Sequence, residues 1–150
     1  MLVEPFLSGF EKFNSNSGWV STDVSDLARD LCAALSHFSY HSTGGQFLLC
    51  DLQGSMEPDD SELIFTDPVI HSRTARRYGP SDLGPEGIST FFSSHKCSSM
   101  CERTWNTPAD CTRYFEEEES TAMSNMTATP MPKHTPTLGT LAEEEEYCSE

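Results

Sequence analysis

Positive charge is scarce in this chain: 9 Lys and Arg stand against 24 Asp and Glu in 150 residues, a formal net charge of −15. Such a balance repels phosphate backbones and anionic lipid, which argues against nucleic acid as a partner. Long apolar runs are missing too, and no stretch approaches the roughly 20 residues that cross a bilayer, so no membrane association is expected. The opening MLVEPFLSGF has neither the basic region nor the apolar stretch of a signal peptide, and the expectation is a soluble, cytoplasmic protein. Without an export signal, the six cysteines read as reduced thiols or metal ligands before disulfides. No internal repeat is present, and the length suits one modest domain.

What is there divides unevenly. Residues 116–150 hold nine Glu and one Lys, just over half of the net charge, with Thr, Ser and Pro between two Glu runs. Such a segment buries too little to offset chain entropy, so a disordered acidic tail is expected from Glu116. Residues 1–115 carry nearly all the aromatics and read as the folded α+β part. Asp23 or Ser25 caps a helix with apolar positions Val24, Leu27, Leu31, Ala34 and Leu35, ending near His37. Phe38, Ser39 and Tyr40, the Gly44-Gly45 turn and the apolar run 47–52 read as a hairpin with a buried second strand. After an acidic loop at 57–62, Leu63, Ile64 and Phe65 form a brief strand broken at Thr66-Asp67-Pro68. A glycine-punctuated loop covers 78–87, and 85–92 opens a helix leading to His95.

Three groups of residues could carry chemistry. The sequence HKCSSMC at 95–101 presents one imidazole and two thiolates, His95, Cys97 and Cys101, within about one helical turn. A structural zinc needs a fourth ligand, for which His37, His41, His71 and Cys111 are candidates; His37 is favoured because it closes the amphipathic helix on its apolar side. Asp51-Leu52-Gln53-Gly54 at a strand end, with Asp67 further on, offers the hard oxygen ligands that suit magnesium and phosphoryl transfer, although an Asp in such a place is often only a turn former. Gly79, Gly84 and Gly87 lack the lysine of a phosphate loop and read as backbone turns. Asn14 and Asn16 read as turn residues, and Glu4 as an exposed acid.

Taken in order, EPFLSGFEKFNSNSG, ALSHFSYHSTGGQFLLCDLQG, FTDPVIHS, YGPSDLGPEGISTFF and SHKCSSMC resemble the alpha-kinase family of atypical serine/threonine protein kinases, over about residues 2–101. The resemblance implies the carboxy-terminal lobe of a kinase-like two-lobed fold, built around a buried structural zinc on His37, His95, Cys97 and Cys101. It implies ATP and magnesium as cofactors, with Asp51 and Gln53 as catalytic and magnesium-binding groups and Asp67 as a further active-site acid. Glu4 falls in the linker that holds adenine, Asn14 and Asn16 in a turn near the nucleotide. Gly79, Gly84 and Gly87 fall in the segment that positions a protein substrate carrying Ser or Thr, with Asp82 where Asn is common. The family's amino-terminal lobe and its phosphate-contacting lysine precede the linker, so a truncated kinase is expected. Lys12 sits in the wrong motif to replace that lysine. The other reading is a catalytically silent zinc-containing pseudokinase fragment that binds peptide or protein. No oligomeric state follows from the sequence.

Overall fold

The computed structural model describes residues 6–57, 62–124 and 128–131. Glu4 lies outside them, as do residues 132–150 of the expected tail. Ser25, in extended backbone, accepts the Ala28 N–H on its hydroxyl at 3.2 Å and starts helix α1, Asp26–Ser42. The helix runs a turn past the expected stop at His37. Ser36, Ser39 and Thr43 turn their hydroxyls back onto carbonyls three or four residues earlier, so they are compatible with helix. Gly44 and Gly45, both with positive φ, then end it, with the Gly45 N–H on the Tyr40 carbonyl at 2.8 Å. Phe38, Ser39 and Tyr40 are therefore the last turn of α1 and not a hairpin strand. The buried face is also rotated from the expected one. Ala28 and Cys32 pack inward while Leu27 and Leu31 stay 45% and 40% exposed, because small side chains let the helix approach Phe13 and Leu52 closely.

Among the described residues five short strands follow the turn chemistry: β1 (Phe10–Lys12), β2 (Phe47–Cys50), β3 (Gln53–Met56), β4 (Leu63–Thr66) and β5 (Val69–Ser72). β3 lies between β1 and β4 in one antiparallel sheet, and β2 pairs with β5 in another. The ladder from β2 and β3 to β4 and β5 keeps one register: Cys50 faces Val69 and Gln53 faces Thr66, with two residues left unpaired on each side. The expected strand 47–52 thus stops at Cys50, yet Leu52 remains fully buried. Helix α2, Gly84–Ser94, has Pro in its first turn, where the missing N–H costs nothing, and packs on β5. One core cluster joins Phe13, Val24, Ala28, Cys32 and Leu52, and a second joins Tyr40, Leu48, Cys50, Ile88 and Phe92. Among the described residues no helix is long and apolar enough to cross a membrane.

The expected boundary at Glu116 falls inside the packed part. Phe115 and Ala122 are buried with Leu83 in a third cluster, and the Glu118 backbone exchanges hydrogen bonds with the Ser17 hydroxyl at 3.0 and 3.1 Å. A composition rule counts apolar burial, whereas this segment is held chiefly by polar contacts from its backbone.

Close sheet packing singles out Gly54, where a Cβ would lie 1.8 Å from the Ile64 carbonyl oxygen. Because that neighbour is strand backbone, Gly54→Ala must part β3 from β4; a loss of about 3 kcal/mol is expected, read as a lowered urea midpoint.

Candidate functional site

The two helices deliver a cluster of nitrogen and sulfur donors. His37 comes from the buried face of α1, and His95 is the C-cap of α2, whose extended backbone turns the chain toward Cys97 and Cys101. The His37 Nδ1 and His95 Nε2 atoms are 3.2 Å apart, the Cys97 Sγ is 3.6 Å from each, and the Cys101 Sγ is 3.8 Å from His95 Nε2. A tetrahedral ion bound at about 2.0 Å to nitrogen and about 2.3 Å to sulfur has N···N edges of about 3.3 Å and N···S edges of about 3.6 Å. The donor atoms therefore stand where such an ion would need them.

Surrounding contacts fix both rings. His37 Nε2 faces the Asn106 carbonyl oxygen at 3.1 Å, which leaves Nδ1 for the cluster, and the ring meets Phe92 and Trp105 edge-on. His95 stacks on Phe91. Burial pushes the His95 pKa down to about 4, with His37 adding to the shift, and burial also lowers that of His37, so both imidazoles are neutral near pH 7. The other candidates for fourth ligand drop out. His71 spends both ring nitrogens on backbone, His41 Nδ1 accepts the Asn106 N–H at 3.2 Å, and Cys111 is disulfide-bonded, not the reduced thiol expected.

The second site lies at the break in the ladder. Asp51 and Asp67 both have left-handed backbone, with φ of 56° and 45°, and Gln53 opens β3 opposite Thr66. Asp67 is exposed and accepts the Thr66 hydroxyl at 3.3 Å. Asp51 is 2% exposed. Its Oδ2 accepts the Thr121 hydroxyl at 2.7 Å, and its Oδ1 faces the Lys12 ammonium at 3.0 Å without an aligned hydrogen bond. A buried carboxylate needs such a partner, since an unpaired charge there would cost several kcal/mol. Lys12, passed over on motif grounds, is thus the counter-ion of Asp51.

Asn14 and Asn16 hold this region together. The Asn14 Oδ1 accepts the Leu52 N–H at 2.9 Å, fixing the chain beside Asp51. The Asn16 amide donates to the carbonyls of Ser81 and Ala122 at 2.9 and 2.8 Å and accepts the Ala122 N–H at 2.8 Å. Both amides are committed to protein partners. Of the loop glycines, Gly79 and Gly84 have positive φ, while Gly87 lies in α2 against the His71 ring, 2.7 Å from where its Cβ would be. The loop between them is organised by Asp82, fully buried, whose carboxylate accepts from the N–H groups of Ser72, Gly84 and Tyr78 and from the Ser72 hydroxyl. Asp82 was noted only as a departure from the Asn common at that place, and Thr121 went unread because the five ordered motifs stop before it.

The mixed α/β architecture matches that of alpha-kinase domains. The domain of myosin heavy chain kinase A in complex with ADP matches with a TM-score of 0.55 at 37% identity, covering 65% of this chain and 36% of that one. Its inactive form in complex with ATP matches with a TM-score of 0.53 at 36% identity, covering 65% and 34%. Residues 1–101 match the model of the alpha-kinase family, and the chain belongs to that family. Alpha-protein kinase 1 of Dictyostelium discoideum is 40% identical over 100 residues, 66% of this chain and 7% of that protein. Eukaryotic elongation factor 2 kinase of Homo sapiens is 36% identical over 109 residues, 72% of this chain and 14% of that protein. The relatives are protein kinases, and this chain spans a small part of their length.

His71 gives a pH test. Its Nε2–H donates to the Asn16 carbonyl at 2.8 Å and its Nδ1 accepts the Leu83 N–H at 3.1 Å, so a second ring proton would meet a donor. Burial lowers its pKa, against smaller opposing effects of the Asn16 bond and of Asp82 and Asp51. The unfolded chain takes the proton first, near pH 6.5, so this stability is complete above that pH and is lost as pH falls below it. Urea midpoints between pH 7.5 and 5 should fall more steeply for the wild type than for His71→Gln.

Proposed function

We propose that this chain contributes the carboxy-terminal lobe of an alpha-type kinase that transfers the γ-phosphate of ATP to Ser or Thr of a protein. The observation that carries it is the paired break at 51–52 and 67–68, which leaves Asp51 and Asp67 outside the strand pairing, beside Gln53 and Thr66. Family membership and the nucleotide-bound relatives support the same reading. Asp51 and Gln53 would hold magnesium, which when bound neutralises phosphate charge. Asp67, exposed at the rim, would orient the acceptor hydroxyl, and Asn14 keeps Asp51 in place through Leu52. Lys12 balances the Asp51 carboxylate when no metal is there. His37, His95, Cys97 and Cys101 would hold a structural zinc: two neutral imidazoles and two sulfurs at tetrahedral spacing, with the Asn106 carbonyl orienting His37. In this reading the lobe is residues 1–115 with the packed segment after it, followed by the acidic tail.

The capped state of Asp51 favours a second reading, a catalytically silent zinc-containing module that binds peptide or protein. Radiolabelled transfer from ATP and magnesium to threonine peptides, with zinc measured on the same sample, separates the two. The kinase reading expects transfer that drops at least about a hundredfold in Asp51→Ala with zinc unchanged. Zinc without transfer would leave the binding module.

Cys97→Ala should bring bound zinc from about one per chain to near none and lower the melting temperature, because the metal supplies folding energy. A stable Cys97→Ala chain with full zinc by elemental analysis would remove the metal assignment.

A further inference from the structure

Residues 117–124 lie beyond the family match yet cross the candidate site, with Thr121 on Asp51. They form no helix or strand, and most are exposed. Their anchors are of three kinds. The Thr121 hydroxyl donates to Asp51 Oδ2 at 2.7 Å and lies 3.5 Å from the Lys12 ammonium. The next residue, Ala122, has its N–H and its carbonyl both taken by the Asn16 side-chain amide, each at 2.8 Å. Two residues on, the Ser124 N–H donates to the Pro80 carbonyl at 2.6 Å, and Arg76 donates to the Ser124 hydroxyl and carbonyl.

These contacts describe a track for an extended peptide. Asn16 reads backbone alone and would accept any residue's N–H and C=O, while the 3% exposure of Ala122 against Leu83 and Phe115 admits only a small side chain. The track runs along the glycine loop, since Asn16 also ties the Ser81 carbonyl and Ser124 the Pro80 carbonyl. Two open cavities flank the segment, one of about 650 Å³ beside Lys12 and Glu118, the other of about 630 Å³ beside Gly79 and Met123. Thr121 and Ala122 form the ridge between them.

We propose that residues 117–124 are a pseudosubstrate in cis: they fill the groove meant for an acceptor peptide, with the Thr121 hydroxyl capping the Asp51 carboxylate that would otherwise hold magnesium. This rests on the kinase reading above for the word acceptor, though the groove itself is defined by the contacts. Its ligand in trans is an extended peptide with Thr or Ser followed by a small residue. Release of the segment must precede binding of such a peptide, because the two compete for the same Asn16 amide and the same Asp51 oxygen.

The test uses the full chain, its Ala122→Pro variant, which loses the N–H that Asn16 accepts, and its Thr121→Val variant, which loses only the hydroxyl and keeps the side-chain shape. A fluorescent peptide of residues 115–124 is titrated into each and followed by anisotropy, with amide exchange of 117–124 read in parallel. Binding at least tenfold tighter to either folded variant than to the wild type is expected, with an equal loss when the peptide carries A122L. The same affinity for all three chains overturns the proposal, as does no binding to variants whose segment exchanges freely. Phosphoryl transfer is not read in this assay. Competition by a chain that transfers no phosphate therefore supports the groove and counts against the kinase reading alone.

Discussion

A residue other than glycine in left-handed backbone costs about 1 kcal/mol or more, and this chain places two such residues, Asp51 and Asp67, on the two sides of one break in strand pairing. Aspartate tolerates that conformation better than a branched side chain does, and Pro68 has no N–H to offer a partner strand. The register on either side is unchanged, so the break inserts nothing; it turns two residues per strand out of pairing. Everything near the site follows from this. The backbone freed at Leu52 must bond elsewhere and finds Asn14 and Phe13, and the carboxylate of Asp51 turns inward toward Lys12.

The interior around the break is consequently polar. Asn14, Asn16, Asp51, His71 and Asp82 are all buried; Asp51 is met by the Thr121 and Lys12 side chains, the others largely by backbone groups. Such networks are costly when one member is missing and rigid when complete. Here they replace the apolar core that a lobe of short strands would lack: His71 clamps Asn16 to Leu83, and Asp82 clamps the glycine loop to β5. The donor cluster does the same at the other end, where α1, α2 and the chain beyond α2 bring two imidazoles and two sulfurs together among Phe91, Phe92 and Trp105.

Legibility varied with how local each signal was. The cluster HKCSSMC was readable because three donors lie within seven residues, and His37 was favoured on the periodicity of its helix, although two positions of that periodicity, Leu27 and Leu31, stay exposed. The end of α1 was misplaced because Ser and Thr favour caps and turns in general, while here their hydroxyls fold back onto the helix. The segment after Phe115 was read from its charge, and its anchoring contacts reach residues as far as 109 positions away.

By itself the sequence determined the α+β class and three donors of the cluster through residue types at short spacing, and the family, with His37 and the acids at the break, through its resemblance over five ordered motifs. Tertiary structure alone decided that Lys12 pairs with Asp51, that His71 is a clamp and not a ligand, and that Thr121 closes over the site. Those facts depend on which backbone groups are left without partners after the strands have paired, and no local pattern encodes that remainder.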